Sequence, residues 1–223
     1  MKALFDLSLY LIVGPSHDTG DRISLVQSAV AGGVSLVQLR DKTSSTREMI
    51  AQARALKQAL AGSGVPLLIN DRVDVALAAG ADGVHVGRED ISAQDARLLL
   101  GPNHILGITV KNLDEVRAVN PGIVDYASIG GVFETGSKHN PDAPIGLTGL
   151  QDCVAALTAG APGLPRCAIA GIDMTRAEAV MATGLDGICV ISAITKAADP
   201  HAAAAQLRAV VDRAKRLHER AFV

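Results

Sequence analysis

The sequence predicts a closed (β/α)8 TIM barrel, an α/β fold in which eight parallel strands are each followed by a helix. Eight short apolar runs alternate with stretches of helical period along the 223 residues, and no hairpin signal joins any two of them. Aromatic residues make up only 2% of the chain, so Val, Ile, Leu and Ala must fill the core, as in parallel sheets buried on both faces. A doubly wound open sheet is the alternative architecture.

Each strand is predicted from a short apolar run, and each helix from a longer stretch in which apolar residues recur every three or four positions. The predicted strands are Leu9–Val13, Leu36–Leu39, Leu67–Ile69, Gly83–Val86, Ile105–Ile108, Tyr126–Ile129, Arg166–Ile169 and Gly187–Ile191. The predicted helices are Arg22–Ala31, Ser45–Ala61, Val73–Ala79, Ala93–Leu100, Asp114–Val119, Leu150–Ala159, Arg176–Thr183 and Ala202–His218. Ser45 followed by Glu48 is typical of a capped helix start, and Asp199-Pro200 indicates the entry to the last helix.

Glycine follows three of the predicted helices just before the next apolar run, at Gly32, Gly80 and Gly184. A glycine at this place ends a helix and turns the chain toward the next strand. The recurrence is a weak internal repeat and supports a fold built from similar units. No Pro/Ser-rich linker separates the units, so residues 1–223 are predicted to form a single catalytic domain.

Composition excludes several partners and compartments. The formal net charge is −2, from 21 basic and 23 acidic side chains, and the lack of aromatics argues against a nucleic-acid platform. The three cysteines, Cys153, Cys167 and Cys189, fit neither a disulfide framework nor a zinc site. The apolar run Leu7–Val13 is far too short to span a membrane. We expect a cytoplasmic protein that binds neither nucleic acid nor membrane.

Polar residues at the end of the second predicted strand indicate an anion site. In a barrel, the catalytic groups lie where strands end and βα loops begin. Alternation along the strand places Gln38, Arg40 and Lys42 on one face, opposite Val37 and Leu39. If Val37 and Leu39 pack under the helices, an amide and two cations point into the barrel mouth. The alternative is an exposed edge strand with a solvated, charged end.

Two carboxylates follow the third and fourth predicted strands. Asp71 comes after Asn70, and Asp90 comes four residues after Val86. One αβ unit separates the acids, so they are expected at neighbouring strand ends, where one or two carboxylates plus a substrate phosphate would hold Mg²⁺. The alternative is that either acid caps the helix that follows it.

The long loop 130–141 follows the sixth predicted strand and indicates a phosphate site. Thr135, Ser137 and backbone amides are suited to bind a phosphate beside the cation of Lys138. The order Gly-Ser-Lys excludes a P-loop. Gly171 and Ser192, after the last two strands, occupy the loops that commonly bind phosphate in barrels, although Gly171 alone also suits a simple turn. His85 is interpreted as a hydrogen-bonded barrel histidine.

Five segments, Gln38–Lys42, Asn70–Arg72, His85–Asp90, Thr135–Lys138 and Ile191–Ile194, resemble the thiamine-phosphate synthase family in order and spacing. The resemblance covers essentially the whole chain. It implies a (β/α)8 barrel that couples 4-amino-2-methyl-5-pyrimidinylmethyl diphosphate (the pyrimidine diphosphate) to 4-methyl-5-(2-hydroxyethyl)thiazole phosphate (the thiazole phosphate). The products are thiamine phosphate and diphosphate, and the reaction uses Mg²⁺.

The resemblance also implies a role for each site residue. Arg40, Lys42 and Lys138 are the implied catalytic cations, and Asp71 and Asp90 the implied Mg²⁺ ligands. The implied contacts to the pyrimidine diphosphate are Gln38, Arg40, Lys42, Asn70 and Lys138, with Thr109 where the family usually has a serine. Substrate binding also extends to Leu39 and Asp41. The implied contacts to the thiazole phosphate are Thr135, Gly136, Ser137, Gly171, Ile191 and Ser192.

Lys111, Glu134 and Ser137 depart from the family pattern. Lys111 stands where the family often has His and is assigned no function, while Glu134 and Ser137 replace a common proline and threonine.

Two other functions compete with the synthase. A related thiazole tautomerase shares the barrel, but it characteristically lacks the acidic pair and relies on a histidine near position 111. A barrel that binds thiamine precursors without turning them over is the second alternative. Barrels of this size are commonly homodimers, so we expect a homodimer here.

Overall fold

The computed structural model describes residues 5–15, 19–136 and 142–221, with side chains described as far as residue 218. The predicted barrel is confirmed: eight parallel strands form a closed sheet, in which β8 pairs with β1. The strands are β1 (Leu9–Val13), β2 (Leu36–Leu39), β3 (Leu67–Asn70), β4 (Gly83–Val86), β5 (Ile105–Val110), β6 (Tyr126–Ile129), β7 (Arg166–Ile169) and β8 (Gly187–Val190). The open-sheet alternative is therefore wrong.

Helices alternate with the strands and cover the outside of the barrel. They are α1 (Thr19–Ala31), α2 (Thr46–Ala59), α3 (Val73–Ala79), α4 (Ala93–Leu100), α5 (Leu113–Arg117), α6 (Gly146–Gly160), α7 (Ala177–Met181), α8 (Ser192–Thr195) and α9 (Pro200–Ala221). Within the described ranges, no helix is long and apolar enough to cross a bilayer.

Alternation along the strands divides the apolar residues into two cores. Val37 and Leu39 belong to the larger core between the strands and the helices. Leu36, Tyr10 and Tyr126 belong to the smaller core inside the barrel. Since side chains alternate along a strand, Gln38 points inward, as predicted. The edge-strand alternative is wrong, because β2 pairs with both β1 and β3.

Local sequence signals fix two helix starts as predicted. The Ser45 hydroxyl accepts a hydrogen bond from the Glu48 N–H, and the Glu48 carboxylate accepts one from the Ser45 N–H, which completes a capping box at α2. At α9, Asp199 Oδ1 accepts from the N–H of Ala202 at 3.0 Å. These caps satisfy backbone donors that have no partner inside the helix.

Helix α8 was not predicted. β8 ends at Val190, one residue earlier than expected, and the four-residue helix Ser192–Thr195 follows at once. A helix of one turn is too short to show an apolar period, so its sequence looked like the end of the strand. Ile191 therefore lies in the turn between strand and helix, and Ser192 is the first residue of the helix, at the C-terminal rim of the barrel.

Candidate active site

A cavity at the C-terminal rim gathers the polar residues that end β2, β3, β4 and β5; we call it the rim cavity. It is lined by Arg40, Lys42, Asn70, Asp71, His85, Gly87, Arg88, Glu89, Asp90, Thr109, Lys111, Glu115 and Asp142. Six of these are residues that the sequence analysis placed in the site. They come from four consecutive strands, so their proximity follows directly from the closed parallel sheet.

The end of β2 supplies both cations and sets their spacing. The N–H of Arg40 donates to the Val13 carbonyl at 2.8 Å, which continues the β1–β2 pairing one residue past the strand. Arg40 and Lys42 therefore stay on the inward face and line the rim cavity. Gln38 lies two residues before Arg40 on the same face and is fully buried.

Leu39 and Asp41 alternate with these residues and point elsewhere. Leu39 packs in the outer core. Asp41 is 3% exposed, and its Oδ1 accepts from the N–H groups of Thr43 and Ser44. Burial raises the pKa of the Asp41 carboxyl, but the hydrogen bonds from Ser44 and Thr43 outweigh it and hold that pKa well below its usual value. Asp41 thus shapes the loop that follows Lys42, and neither side chain lines the rim cavity.

The two predicted acids meet at the rim cavity. Asp71 has a φ of +64°, an uncommon backbone conformation for a residue other than glycine, and its N–H donates to the His85 carbonyl at 2.8 Å. Lys42 Nζ lies 2.9 Å from Asp71 Oδ2. Burial and the adjacent Asp90 carboxylate raise the pKa of Asp71, although Lys42 opposes the shift. The two carboxylates share one small space here, and the negative charge of Asp90 makes Asp71 harder to ionise.

Neither acid caps a helix, so the capping alternative is wrong for both. Ser92 is the N-cap of α4 and accepts from the N–H of Asp95 at 3.1 Å. Asp90 instead accepts from the N–H of Gly87 at 2.8 Å, within the β4–α4 loop. At α3 the N-cap position is Arg72, and no side chain caps that helix. Both carboxylates therefore belong to the rim cavity.

The donor set of this pair fits Mg²⁺ completed by a substrate. Among the described residues, no cluster of three or more His, Cys, Asp or Glu side chains could hold a metal ion. Mg²⁺ is commonly bound by one or two carboxylates together with waters and substrate phosphates. Asp71 and Asp90 supply two such carboxylates, and a divalent cation between them would relieve the repulsion that raises the pKa of Asp71.

A second, narrower cavity lies at the ends of β7 and β8; we call it the loop cavity. Its lining includes four residues of the implied phosphate site: Thr135, Gly171, Ile191 and Ser192. Gly136 is exposed beside it. Ser137 and Lys138, the remaining site residues of the β6–α6 loop, lie outside the described residues. Each cavity is lined by members of only one of the two groups of residues that the family resemblance assigns to different substrates.

Gly171 holds the β6–α6 loop against β7. Its φ is +65°, and a Cβ at this position would lie 2.5 Å from the Glu134 carbonyl oxygen and 2.7 Å from the Phe133 Cβ. The Phe133 N–H also donates to the Ala170 carbonyl at 3.1 Å. Both the backbone conformation and the close approach require glycine. Gly171 is therefore more than a turn residue, because it also lets the β6–α6 loop pack against β7.

We expect Gly171→Ala to lower the free energy of unfolding by about 1–3 kcal/mol, because alanine is strained at positive φ and its methyl group meets backbone. For a chain of this size the melting temperature falls by roughly 2–4 °C per kcal/mol. Thermal unfolding followed by circular dichroism measures it. Gly160→Ala is the control, since no atom lies within 4 Å of a Cβ there. Equal melting temperatures for the two variants would contradict the packing role of Gly171.

Two features of the rim were not predicted. Lys111, to which the sequence analysis gave no function, lines the rim cavity with its Nζ 2.9 Å from Asp142 Oδ2. His85 is the hydrogen-bonded barrel histidine expected, but its partners are new: Nδ1 lies 2.7 Å from Tyr126 Oη, and Nε2 lies 2.7 Å from Thr109 Oγ1. The sequence contains one signal for the contact with Tyr126: the chain has two tyrosines, and both lie at inward positions of strands.

Comparison with known proteins identifies the family. A sequence model described as thiamine monophosphate synthase matches residues 9–194. The chain belongs to the thiamine-phosphate synthase family. A thiamine-phosphate synthase of Agrobacterium fabrum is 48% identical over 96% of this chain and 94% of its own length. The corresponding protein of Moorella thermoacetica is 42% identical over 93% of this chain and 97% of its own.

A solved structure of the family has the same fold. Thiamine phosphate pyrophosphorylase from Pyrococcus furiosus superposes with a TM-score of 0.80 at 35% identity, over 93% of this chain and 96% of that one. The match extends over nearly the whole barrel. The family resemblance drawn from the five rim segments is thereby confirmed.

Proposed function

We propose that the rim cavity binds the pyrimidine diphosphate with Mg²⁺ and that the loop cavity binds the thiazole phosphate, so that the two substrates meet at the C-terminal rim. Membership of the thiamine-phosphate synthase family makes the chain an enzyme of thiamine biosynthesis, a transferase that condenses these two substrates to thiamine phosphate and diphosphate. The observation that carries the assignment of the site is the convergence of Arg40 and Lys42 with Asp71 and Asp90 in one cavity.

The chemistry explains why the site holds cations and carboxylates. The thiazole ring nitrogen attacks the methylene carbon of the pyrimidine, and the bond from that carbon to the diphosphate oxygen breaks. The nitrogen carries no proton, so the reaction needs no general base to activate it. The enzyme must place two substrates and stabilise negative charge on the departing diphosphate. Arg40, Lys42 and Lys138 supply positive charge for that purpose, and Asn70 orients the same substrate.

Mg²⁺ would be held by Asp71 and Asp90, and when bound it would neutralise charge on the diphosphate. The adjacency of the carboxylates supports this role, as does their position beside Arg40 and Lys42. Lys42 would exchange its contact with Asp71 for one with the diphosphate. Gln38 and Thr109 would contact the pyrimidine ring, and Leu39 and Asp41 would contribute through the backbone, since their side chains do not line the cavity.

The loop cavity suits the phosphate of the second substrate. Thr135 and Ser192 bring hydroxyl groups to its lining, and Gly171 and Ile191 bring backbone where the loops after β7 and β8 meet. These two loops are a common phosphate site of TIM barrels. Gly136 and Ser137 continue the same loop and are included in the proposal. The two sites then share the rim without competing for the same groups.

The alternatives differ from this proposal in the groups they need. A thiazole tautomerase relies on a histidine near position 111 and lacks the acidic pair, whereas this chain has Lys111 and both Asp71 and Asp90. A precursor-binding barrel without turnover would use the same contacts, so only an activity measurement separates it from the synthase. The acidic pair therefore favours the synthase over the tautomerase.

Mixing the two purified substrates with the protein and Mg²⁺, and assaying thiamine phosphate and diphosphate, tests the proposal. We expect both products in equal amounts, loss of activity with EDTA, and recovery when Mg²⁺ is added in excess. Isomerisation of the thiazole substrate without diphosphate release would identify a tautomerase. Tight binding of both substrates with no product would identify a binding protein.

We propose further that the chain forms a homodimer and acts in the cytoplasm. Leu77 of α3 and Leu98 and Leu99 of α4 are exposed on neighbouring helices, which supports an apolar contact between copies. Sedimentation velocity gives the mass in solution. Cys153, Cys167 and Cys189 all lie within the described residues and form no disulfide, which suits a reducing compartment.

A further inference from the structure

A chain of hydrogen bonds crosses the interior of the barrel beneath the rim cavity; we call it the tyrosine relay. Gln38 Nε2 donates to Tyr10 Oη. Tyr10 Oη lies 3.0 Å from Tyr126 Oη, which lies 2.7 Å from His85 Nδ1. His85 Nε2 in turn lies 2.7 Å from Thr109 Oγ1. The tyrosine relay therefore joins residues of five strands: β2, β1, β6, β4 and β5.

The tyrosine relay is buried, and the residues around it leave room for the Tyr126 ring. Gln38, Tyr10 and Tyr126 are fully buried, and His85 is 7% exposed. Gly107 faces Tyr126 across the β5–β6 pairing, and a Cβ at Gly107 would lie 2.0 Å from the Tyr126 ring. The missing side chain at position 107 is what lets the phenol reach the barrel axis. Burial also raises the pKa of both tyrosines well above their ordinary value, so both hydroxyls keep their protons.

One set of proton positions satisfies every contact of the relay. A tyrosine hydroxyl donates one hydrogen bond. In this set Tyr10 accepts from Gln38 and donates to Tyr126, and Tyr126 donates to His85 Nδ1. The proton of the neutral imidazole is then on Nε2, which donates to Thr109 Oγ1 and leaves the Thr109 hydroxyl to donate to a ligand.

The two ends of the relay then present opposite hydrogen-bonding groups. Gln38 Oε1 is buried and has no hydrogen-bond partner within the described residues. It is therefore able to accept a hydrogen bond from a ligand. Thr109 lines the rim cavity, where in this arrangement its hydroxyl would donate to a ligand. A buried amide oxygen left unpaired costs free energy, so a ligand that donates to it is bound more tightly.

We propose that Tyr10, Tyr126 and His85 are positioning residues that fix Gln38 as an acceptor and Thr109 as a donor, so that the barrel selects an aminopyrimidine over an oxopyrimidine. This inference rests on the proposed function, in which Gln38 and Thr109 contact the pyrimidine. A 4-aminopyrimidine edge offers an N–H donor beside a ring-nitrogen acceptor, which complements the two ends. A 4-oxo ring offers the reverse, an acceptor beside an N–H donor, and would leave both protein groups mismatched.

Tyr126→Phe tests the relay, because it removes the central hydroxyl and keeps the ring. We expect KM for the pyrimidine diphosphate to rise about 10-fold, the effect of one lost hydrogen-bonding constraint, with KM for the thiazole phosphate unchanged. The 4-oxo analogue of the pyrimidine diphosphate, added as an inhibitor, should bind the wild type more weakly than the 4-amino substrate does. In Tyr126→Phe we expect this difference in affinity to shrink about 10-fold. Ser128→Ala is the control: Ser128 is buried on the same strand, and its hydroxyl contacts Cys167 rather than the relay. A rise in both KM values, or the same change in Ser128→Ala, would overturn the proposal.

The direction of the relay is measured without turnover. Nitrogen-15 chemical shifts of the His85 imidazole in the ligand-free wild type should show the tautomer with the proton on Nε2, and Tyr126→Phe should alter the Nδ1 shift. A proton on Nδ1 would reverse the relay and overturn the inference. If the two substrates give no product, the proposed function fails. The spectra still test the tyrosine relay in that case, because they are recorded on the ligand-free protein.

Discussion

We expect Asp71→Asn to lower kcat by on the order of 10²–10³-fold, the loss typical of one group that stabilises charge in a transition state. We also expect the Mg²⁺ concentration for half-maximal activity to rise at least roughly 10-fold, since even outer partners of metal ligands contribute about 10–100-fold to affinity. The physical reason is the pairing with Asp90, because an amide cannot replace the negative charge that attracts a divalent cation between the two. Initial rates across a Mg²⁺ titration give both quantities.

Asparagine is the appropriate replacement at this position. Asp71 has a φ of +64°, and asparagine tolerates this left-handed conformation better than most residues, so the loop should keep its shape. Asp74→Asn is the matched control, because it makes the same change of charge three residues away on an exposed side chain that pairs with Arg72. The metal assignment fails if Asp71→Asn retains wild-type turnover and Mg²⁺ dependence, or if Asp74→Asn loses as much activity.

The sequence was sufficient to predict the barrel because its strands are encoded locally. Five of the eight strands begin and end where the apolar runs do, from β1 (Leu9–Val13) to β7 (Arg166–Ile169). β5 extends to Val110, two residues beyond its prediction, because Thr109 and Val110 continue to pair with β6. Thr109 follows the apolar run, so the run alone places it in a loop. The strand instead ends where its pairing with the neighbouring strand ends.

The rim cavity was predictable for a related reason. In a parallel barrel all strands end at one rim, so Asp71 and Asp90 can be placed together without any knowledge of side-chain packing. What each acid does locally was not predictable: the sequence left capping open, and only the contact of Ser92 with α4 and of Asp90 with Gly87 decides it. The family resemblance then linked these positions to a reaction.

The tyrosine relay could not be predicted, because its contacts cross the barrel. Tyr10 and Tyr126 are 116 residues apart in the chain, and their hydroxyls meet only once the sheet closes. The alternation of side chains shows that both point inward, but it does not show which polar groups lie within hydrogen-bond distance. Contacts across a barrel depend on which strands face one another, and the pattern of any single segment contains no such information.

Lys138 lies in the β6–α6 loop, outside the described residues, and its proposed role is to stabilise the charge that the reaction develops. The diphosphate gains negative charge as its bond to the pyrimidine methylene breaks. The implied cations for that charge are Arg40, Lys42 and Lys138. The loop begins and ends at the barrel, where the Ile145 N–H donates to the Gly131 carbonyl at 2.9 Å and the Gly146 N–H to the Val132 carbonyl at 3.0 Å.

We expect Lys138→Ala to lower kcat by on the order of 10²–10³-fold, because it removes a cation whose interaction with the diphosphate strengthens as the bond breaks. An interaction made mainly in the transition state changes kcat more than KM, so KM for the pyrimidine diphosphate should move little. Lys196→Ala is the control, since Lys196 is exposed and does not line the rim cavity. Steady-state kinetics with both substrates distinguishes the outcomes: near-normal kcat in Lys138→Ala removes Lys138 from catalysis, and a rise in KM alone reduces it to a binding residue.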